Sequence, residues 1–188
     1  MIPNFKLNTE SPISKKLIEL GILDFDSACE YVKNIPVGRN SSRNNFTLII
    51  DENRGTCSTK HALLNLLTEE NNQNDIELMF GIYLISPETN PQLTKLFEGN
   101  NLTNLPESLC FLRYKGKRYD FTSHNNFLNQ IESKIVREQR IEPNQVGEWK
   151  EKIHLDYLMK WIKRNPELTL NIDEIWKIRE ECQQLFNH

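Results

Sequence analysis

Cys57 is the residue of this 188-residue chain best placed to do chemistry. It stands in the stretch Arg54-Gly55-Thr56-Cys57-Ser58-Thr59-Lys60-His61, after the apolar run Phe46-Thr47-Leu48-Ile49-Ile50 and before Ala62-Leu63-Leu64-Asn65-Leu66-Leu67, which reads as a buried helix. A cysteine in the first turn of a helix meets unpaired backbone N–H groups and the positive pole of the helix dipole, and both favour thiolate over thiol. The chemistry would be thiol attack on the carbonyl of an amide or peptide bond, with the N–H of Cys57 forming part of an oxyanion hole. Such a thiol needs a base. His61, one helical turn later and on the same side, is a candidate for it. Plainer readings stand beside these. A free cysteine is often a small buried apolar residue, and a histidine so placed can pack under the turn and bond a carbonyl.

Positioning these groups requires a helix backed by a sheet. Phe46–Ile50 is expected to be a strand, followed by a turn and a helix from Cys57 to about Glu70, broken by Asn71-Asn72-Gln73-Asn74. Ile76 to Ile85 is rich in strand formers and reads as a central strand. Leu109–Tyr114 and Lys117–Phe121 form a hairpin across Lys115-Gly116, and Ile135–Ile141 is a further strand or extended arm. Helices flank this core. Ser11-Pro12 opens one that stops at Gly21, and Asp26 to Lys33 forms another. Pro36–Asn45 is a polar loop, and Pro87–Ser108 is mostly loop with a helical turn near Leu93–Phe97. Pro143 opens a helix with the stripe Val146, Trp149, Ile153, Tyr157 and Trp161, which serves either the core or a dimer contact, so a homodimer is compatible with it. Asn165-Pro166 ends that helix, and Asn171 with Glu174 forms a capping box for the last one, whose apolar side carries Ile175, Trp176, Cys182 and Phe186. The order gives an α+β class, with one domain divided into N-terminal helices (1–45), a core (46–141) and a C-terminal helical pair (142–188).

Composition excludes several functions. The 23 basic and 26 acidic residues leave a net charge of −3, against the basic excess expected of a nucleic-acid partner. No apolar run approaches the roughly 20 residues needed to cross a bilayer, and Met1-Ile2-Pro3-Asn4-Phe5-Lys6 has no signal-peptide apolar region. A cytoplasmic location is expected. The scattered cysteines Cys29, Cys57, Cys110 and Cys182 suit a reducing compartment, and no Cys-x-x-Cys or paired-histidine spacing announces a zinc site. No cofactor or metal is expected. His124 follows Asp120 by four residues, about 13 Å along an extended chain and too far to pair unless the loop folds back, and reads as a loop residue; His154 and His188 have no partner that the sequence can name.

Gly55-Thr56-Cys57-Ser58 resembles the nucleophile turn of the transglutaminase-like branch of the papain-like thiol fold, and Tyr119-Asp120-Phe121-Thr122 resembles that family's aspartate strand. The similarity covers about Phe46 to Thr122. It implies a Cys-bearing helix packed on an antiparallel sheet, with Cys57 as nucleophile and Asp120 as orienting carboxylate in protease, amidase or transamidase chemistry. Asp120 can equally be a polar residue ending a strand, and a metal held by Cys57, His61 and Asp120 would have only three ligands. The family's histidine would fall near the start of the preceding strand, where this chain has Leu109. With a two-residue turn, Leu112 faces Tyr119 and Phe111 faces Asp120, so residue 109 is the diagonal neighbour of Asp120 on one face and Cys110 points to the other. Leucine can neither orient nor carry a proton. The resemblance therefore implies a transglutaminase-like protein with impaired or absent thiol activity, binding a peptide or amide-containing small molecule; the alternative is an active cysteine hydrolase or transamidase with His61 as substitute base.

Overall fold

A computed structural model describes residues 1–42, 44–125 and 127–186; His188 lies outside the described residues. Its centre is a four-stranded antiparallel sheet in the order β3-β2-β1-β4, formed by β1 (Glu77–Ile85), β2 (Leu105–Tyr114), β3 (Lys117–Tyr119) and β4 (Ile135–Arg140). Both faces are covered, which is why β1 reads as a continuous apolar run instead of alternating. One face carries Leu78, Phe80, Ile82, Cys110 and Leu112 and packs with Ala62, Leu63 and Leu67 of α4 (Cys57–Glu70). The other carries Met79, Tyr83, Leu109 and Phe111 and meets Leu158 of a long helix and Ile175, Ile178 and Cys182 of the last one. In this chain α1 (Pro12–Glu19) and α2 (Phe25–Asn34) join the α4 side of the core. The α+β class of the sequence reading holds, and no described helix is long and apolar enough to cross a membrane.

Three expectations about elements need correction. Phe46–Ile50 is not a strand: it forms a turn leading into α3 (Leu48–Asp51). Only Ile49 of this run is fully buried. Such one-sided burial suits a helical turn, and a run of five apolar residues cannot separate strand from helix by pattern. Second, β2 starts at Leu105, inside the segment read as loop, after a 3₁₀ turn at Pro91–Leu93 and α5 (Thr94–Gly99). Pro106 masked it. The Lys115-Gly116 turn has φ of 47° and 76°, and Tyr114 pairs with Lys117 and Leu112 with Tyr119. This is the expected register, and it turns the backbone groups of even-numbered β2 residues away from β1. The missing N–H of Pro106 therefore lies on the outer side, where a strand tolerates proline. Third, β3 ends at Tyr119, because the Phe121 N–H donates to His61 Nε2 at 2.8 Å instead of continuing the ladder.

Beyond α6 (Phe127–Ile131) and β4, a 3₁₀ turn at Pro143–Gln145 precedes α7 (Glu148–Arg164), so the proline starts the turn and not the helix itself. The expected stripe packs inward, with Val146, Trp149, Ile153 and Tyr157 against the first apolar cluster and Trp161 against the second. The last helix, α8 (Ile172–Phe186), has the expected cap: Glu174 N–H donates to Asn171 Oδ1 at 3.1 Å and Asn171 N–H to Glu174 Oε2 at 2.8 Å.

Candidate functional site

Cys57 is the first residue of α4, and its position is fixed by a cap that the sequence reading passed over. Thr56 Oγ1 accepts from Thr59 N–H at 3.3 Å, while Thr59 Oγ1 accepts from Thr56 N–H at 3.0 Å. Threonine here does the work usually given to glutamate in a capping box. The turn before it is pinned sideways: Gly55 N–H donates to Pro36 O at 3.1 Å and Gly38 N–H to Gly55 O at 3.2 Å. Position 55 is tight: a Cβ there would lie 3.1 Å from Lys60 Cγ and 3.3 Å from Ile49, so those side chains would have to give way.

The half-buried Cys57 opens onto a cleft of about 1260 Å³ that is also lined by Leu109, Cys110 and Asp120. This volume is larger than the roughly 300–1,000 Å³ typical of small-ligand pockets. The cleft walls are the 36–39 loop, the start of α4, the outer side of β2, and residues of α7 and α8. The body of α4 covers the sheet face bearing Cys110, whereas Cys57 at its start packs against the apolar cluster of the opposite face, which includes Leu109; Leu109 lies over Gly81, whose added Cβ would meet Leu109 Cδ2 at 3.1 Å. Asp120 comes just after β3, and its Oδ1 accepts from Thr122 N–H at 2.9 Å.

His61 does not line the cleft but is fully buried beneath it. Its Nδ1 bonds the Cys57 carbonyl at 2.7 Å, which makes that nitrogen the donor and leaves Nε2 to accept from Phe121 N–H. Asp120 Oδ1 stands 3.5 Å from Nε2, but in this tautomer it faces a lone pair and not a proton. Burial lowers the pKa of His61, against the opposing pull of Asp120, so the ring sits neutral with both nitrogens committed. Neither nitrogen is aimed at sulfur. Among the described residues, the hydrogen-bond contact of Cys57 Sγ is the Ser58 hydroxyl at 3.9 Å. No described cluster of three or more His, Cys, Asp or Glu residues is arranged to hold a metal ion. His124 is exposed in its loop, 3.3 Å from Asn34 Oδ1 and 3.3 Å from Glu30 Oε1.

Several residues of the site were missed by sequence reasoning. Lys60 is fully buried, donating to the carbonyls of Ile35 and Thr122 and so tying two cleft-lining loops together. Burial pulls its pKa down to about 8, against Asp120 and Cys57. On the far wall, Glu107 is fully buried on β2. It accepts from Arg179 Nε at 2.9 Å, from Gln183 Nε2 at 2.8 Å and from Ser108 N–H at 2.6 Å. Burial pushes its pKa up, but Arg179, His154 and the Ser108 N–H outweigh that and hold it below the usual range. The Arg179 guanidinium lies 4.7 Å from the Trp176 ring centroid. His154, for which the sequence offered no partner, donates from Nε2 to Pro106 O at 3.0 Å, with Nδ1 3.8 Å from Glu107 Oε1. The available signals were the spacing of four between Arg179 and Gln183, and a glutamate inside an apolar strand, which must find a cation. Comparison with protein-family models, curated proteins and solved structures finds no match to this chain.

Proposed function

We propose that this chain is a transglutaminase-like protein whose cleft binds a peptide or an amide-containing small molecule, and whose thiol acyl-transfer or hydrolase chemistry is impaired or absent. The observation that carries the reading is the surroundings of the sulfur. Cys57 and Asp120 share a cleft, yet the hydrogen-bond contact of Cys57 Sγ among the described residues is a hydroxyl and not an imidazole. A thiol at a helix start without a neighbouring base can be attacked by reagents but lacks the partner that takes and returns the proton in acyl transfer. Leu109 occupies the position where the resemblance expects that base. The alternative, turnover with His61 as base, is less well supported. It requires the ring to break bonds to the Cys57 carbonyl and the Phe121 N–H, at about 1 kcal/mol each plus the penalty of a buried N–H left unpaired. The cysteines are all free, which fits the cytoplasmic location expected from the sequence.

The test is a comparison with the Cys57→Ser variant. A p-nitrophenyl ester, and separately a glutamine-containing peptide with a primary amine, should be turned over no faster by the unaltered protein than by the variant. Steady Cys57-dependent release of p-nitrophenol or ammonia would overturn the proposal.

A further inference from the structure

Lys150, on α7, reaches the first turn of α4, where its Nζ donates to Ser58 Oγ at 2.7 Å. The same hydroxyl stands 3.9 Å from the Cys57 sulfur. A serine hydroxyl has one proton and two lone pairs. With a lone pair given to the ammonium, its proton can turn toward a thiol, either Cys57 or the Cys110 that the hydroxyl also reaches, and the hydroxyl becomes a bridge between a cation and a thiol. Cys57, Ser58 and Lys150 all line the cleft. The other lysine close by, Lys60, is committed to two carbonyls. We infer that Lys150, acting through Ser58, is a positioning residue that supports Cys57 as a nucleophile where the resemblance expects an imidazole, so that the cleft captures electrophilic carbonyl or alkylating groups in a single attack.

This inference rests on the reading of the cleft as a thiol site without a base. An ammonium behind a hydroxyl stabilises negative charge on sulfur but cannot accept the thiol proton, which passes to water. That arrangement supports one bond-forming event and not a catalytic cycle. The cation and the sulfur are no farther apart than contacts of 2.7 and 3.9 Å laid end to end. At that separation, with Lys150 only half-buried, screened Coulomb attraction changes the attack rate by about three- to tenfold.

Alkylation by iodoacetamide at fixed pH reads this out: the S–C bond forms as C–I breaks, iodide leaves and the thiol proton goes to water. Peptide mass spectrometry assigns the rate to Cys57, with the buried Cys29 and Cys182, which lie outside the cleft lining, as internal references. Lys150→Met and Ser58→Ala should each slow Cys57 by about three- to tenfold, the double variant should be no slower than the slower single one, and Lys150→Arg should keep most of the rate. Urea midpoints of the variants check that each is folded. An unchanged rate in Lys150→Met, or two effects that multiply, would overturn the relay. The outcomes separate from those of the preceding proposal. Ester turnover with Lys150-sensitive alkylation would sink the base-less reading and keep the relay, whereas Lys150-insensitive alkylation without turnover would do the reverse.

Discussion

Replacing Arg179 with methionine should be among the most damaging single changes on the cleft wall. The substitution keeps much of the aliphatic stem but removes the guanidinium, which lies over Trp176, from a carboxylate with no solvent exposure. Breaking a buried pair from one side costs about 3–5 kcal/mol, because the remaining charge is stranded in low dielectric. Here Gln183 and the Ser108 N–H still solvate Glu107, so the lower end, about 3 kcal/mol at pH 7, is expected. The sign of the pH dependence follows from the same geometry. Without Arg179, burial raises the Glu107 pKa above its unfolded value, the folded state then binds the extra proton, and the loss shrinks as pH falls from 7 toward 5. Urea denaturation of the single variant, of Glu107→Gln, and of both together measures this. The double variant should recover part of the sum, with a coupling of about 2 kcal/mol or more, since no lone charge is left. A cost in Arg179→Met below about 1 kcal/mol, or one that does not change with pH, would refute the argument that this pair is buried and mutually dependent.

Acid should destabilise the protein early. Burial lowers the pKa of both His61 and His154 in the fold, so below about pH 6.5 the unfolded chain binds protons that the folded chain refuses. Each histidine then contributes up to about 1.4 kcal/mol of lost stability per pH unit, and the urea midpoint should fall between pH 7 and pH 5; a flat midpoint would contradict two neutral buried rings. Gly81→Ala should cost about 1–3 kcal/mol, because its methyl would lie 3.1 Å from Leu109 Cδ2 and 3.3 Å from Phe111 Cε1. Combining it with Leu109→Ala should cost less than the two single changes added, and strict additivity would show that Leu109 does not fill the hollow over Gly81.

Much of the scaffold was legible along the chain. The helix from Cys57 to Glu70, the strand ending at Ile85, the hairpin register across Lys115-Gly116 and the capping box of Asn171 and Glu174 all rest on local signals: periodicity, a turn that demands positive φ, and side chains that bond their own backbone. The misplaced elements lacked such signals. Phe46–Ile50 is short and apolar, and Pro106 looks like a loop residue until a neighbouring strand shows which way its missing N–H points.

The composition of the site followed the same division. That a cysteine heads a buried helix and that an aspartate follows a tight hairpin could be read from the order of residues alone. Long-range packing set which sheet face the body of that helix covers, that Cys57 at its start meets the opposite face with Leu109, that His61 spends both nitrogens on the backbone, and that Lys150 meets Ser58 from 92 positions away. Those outcomes depend on long-range packing and on the requirement that every buried polar atom find a partner. That balance is struck among all the elements together, and no local window of the chain contains it.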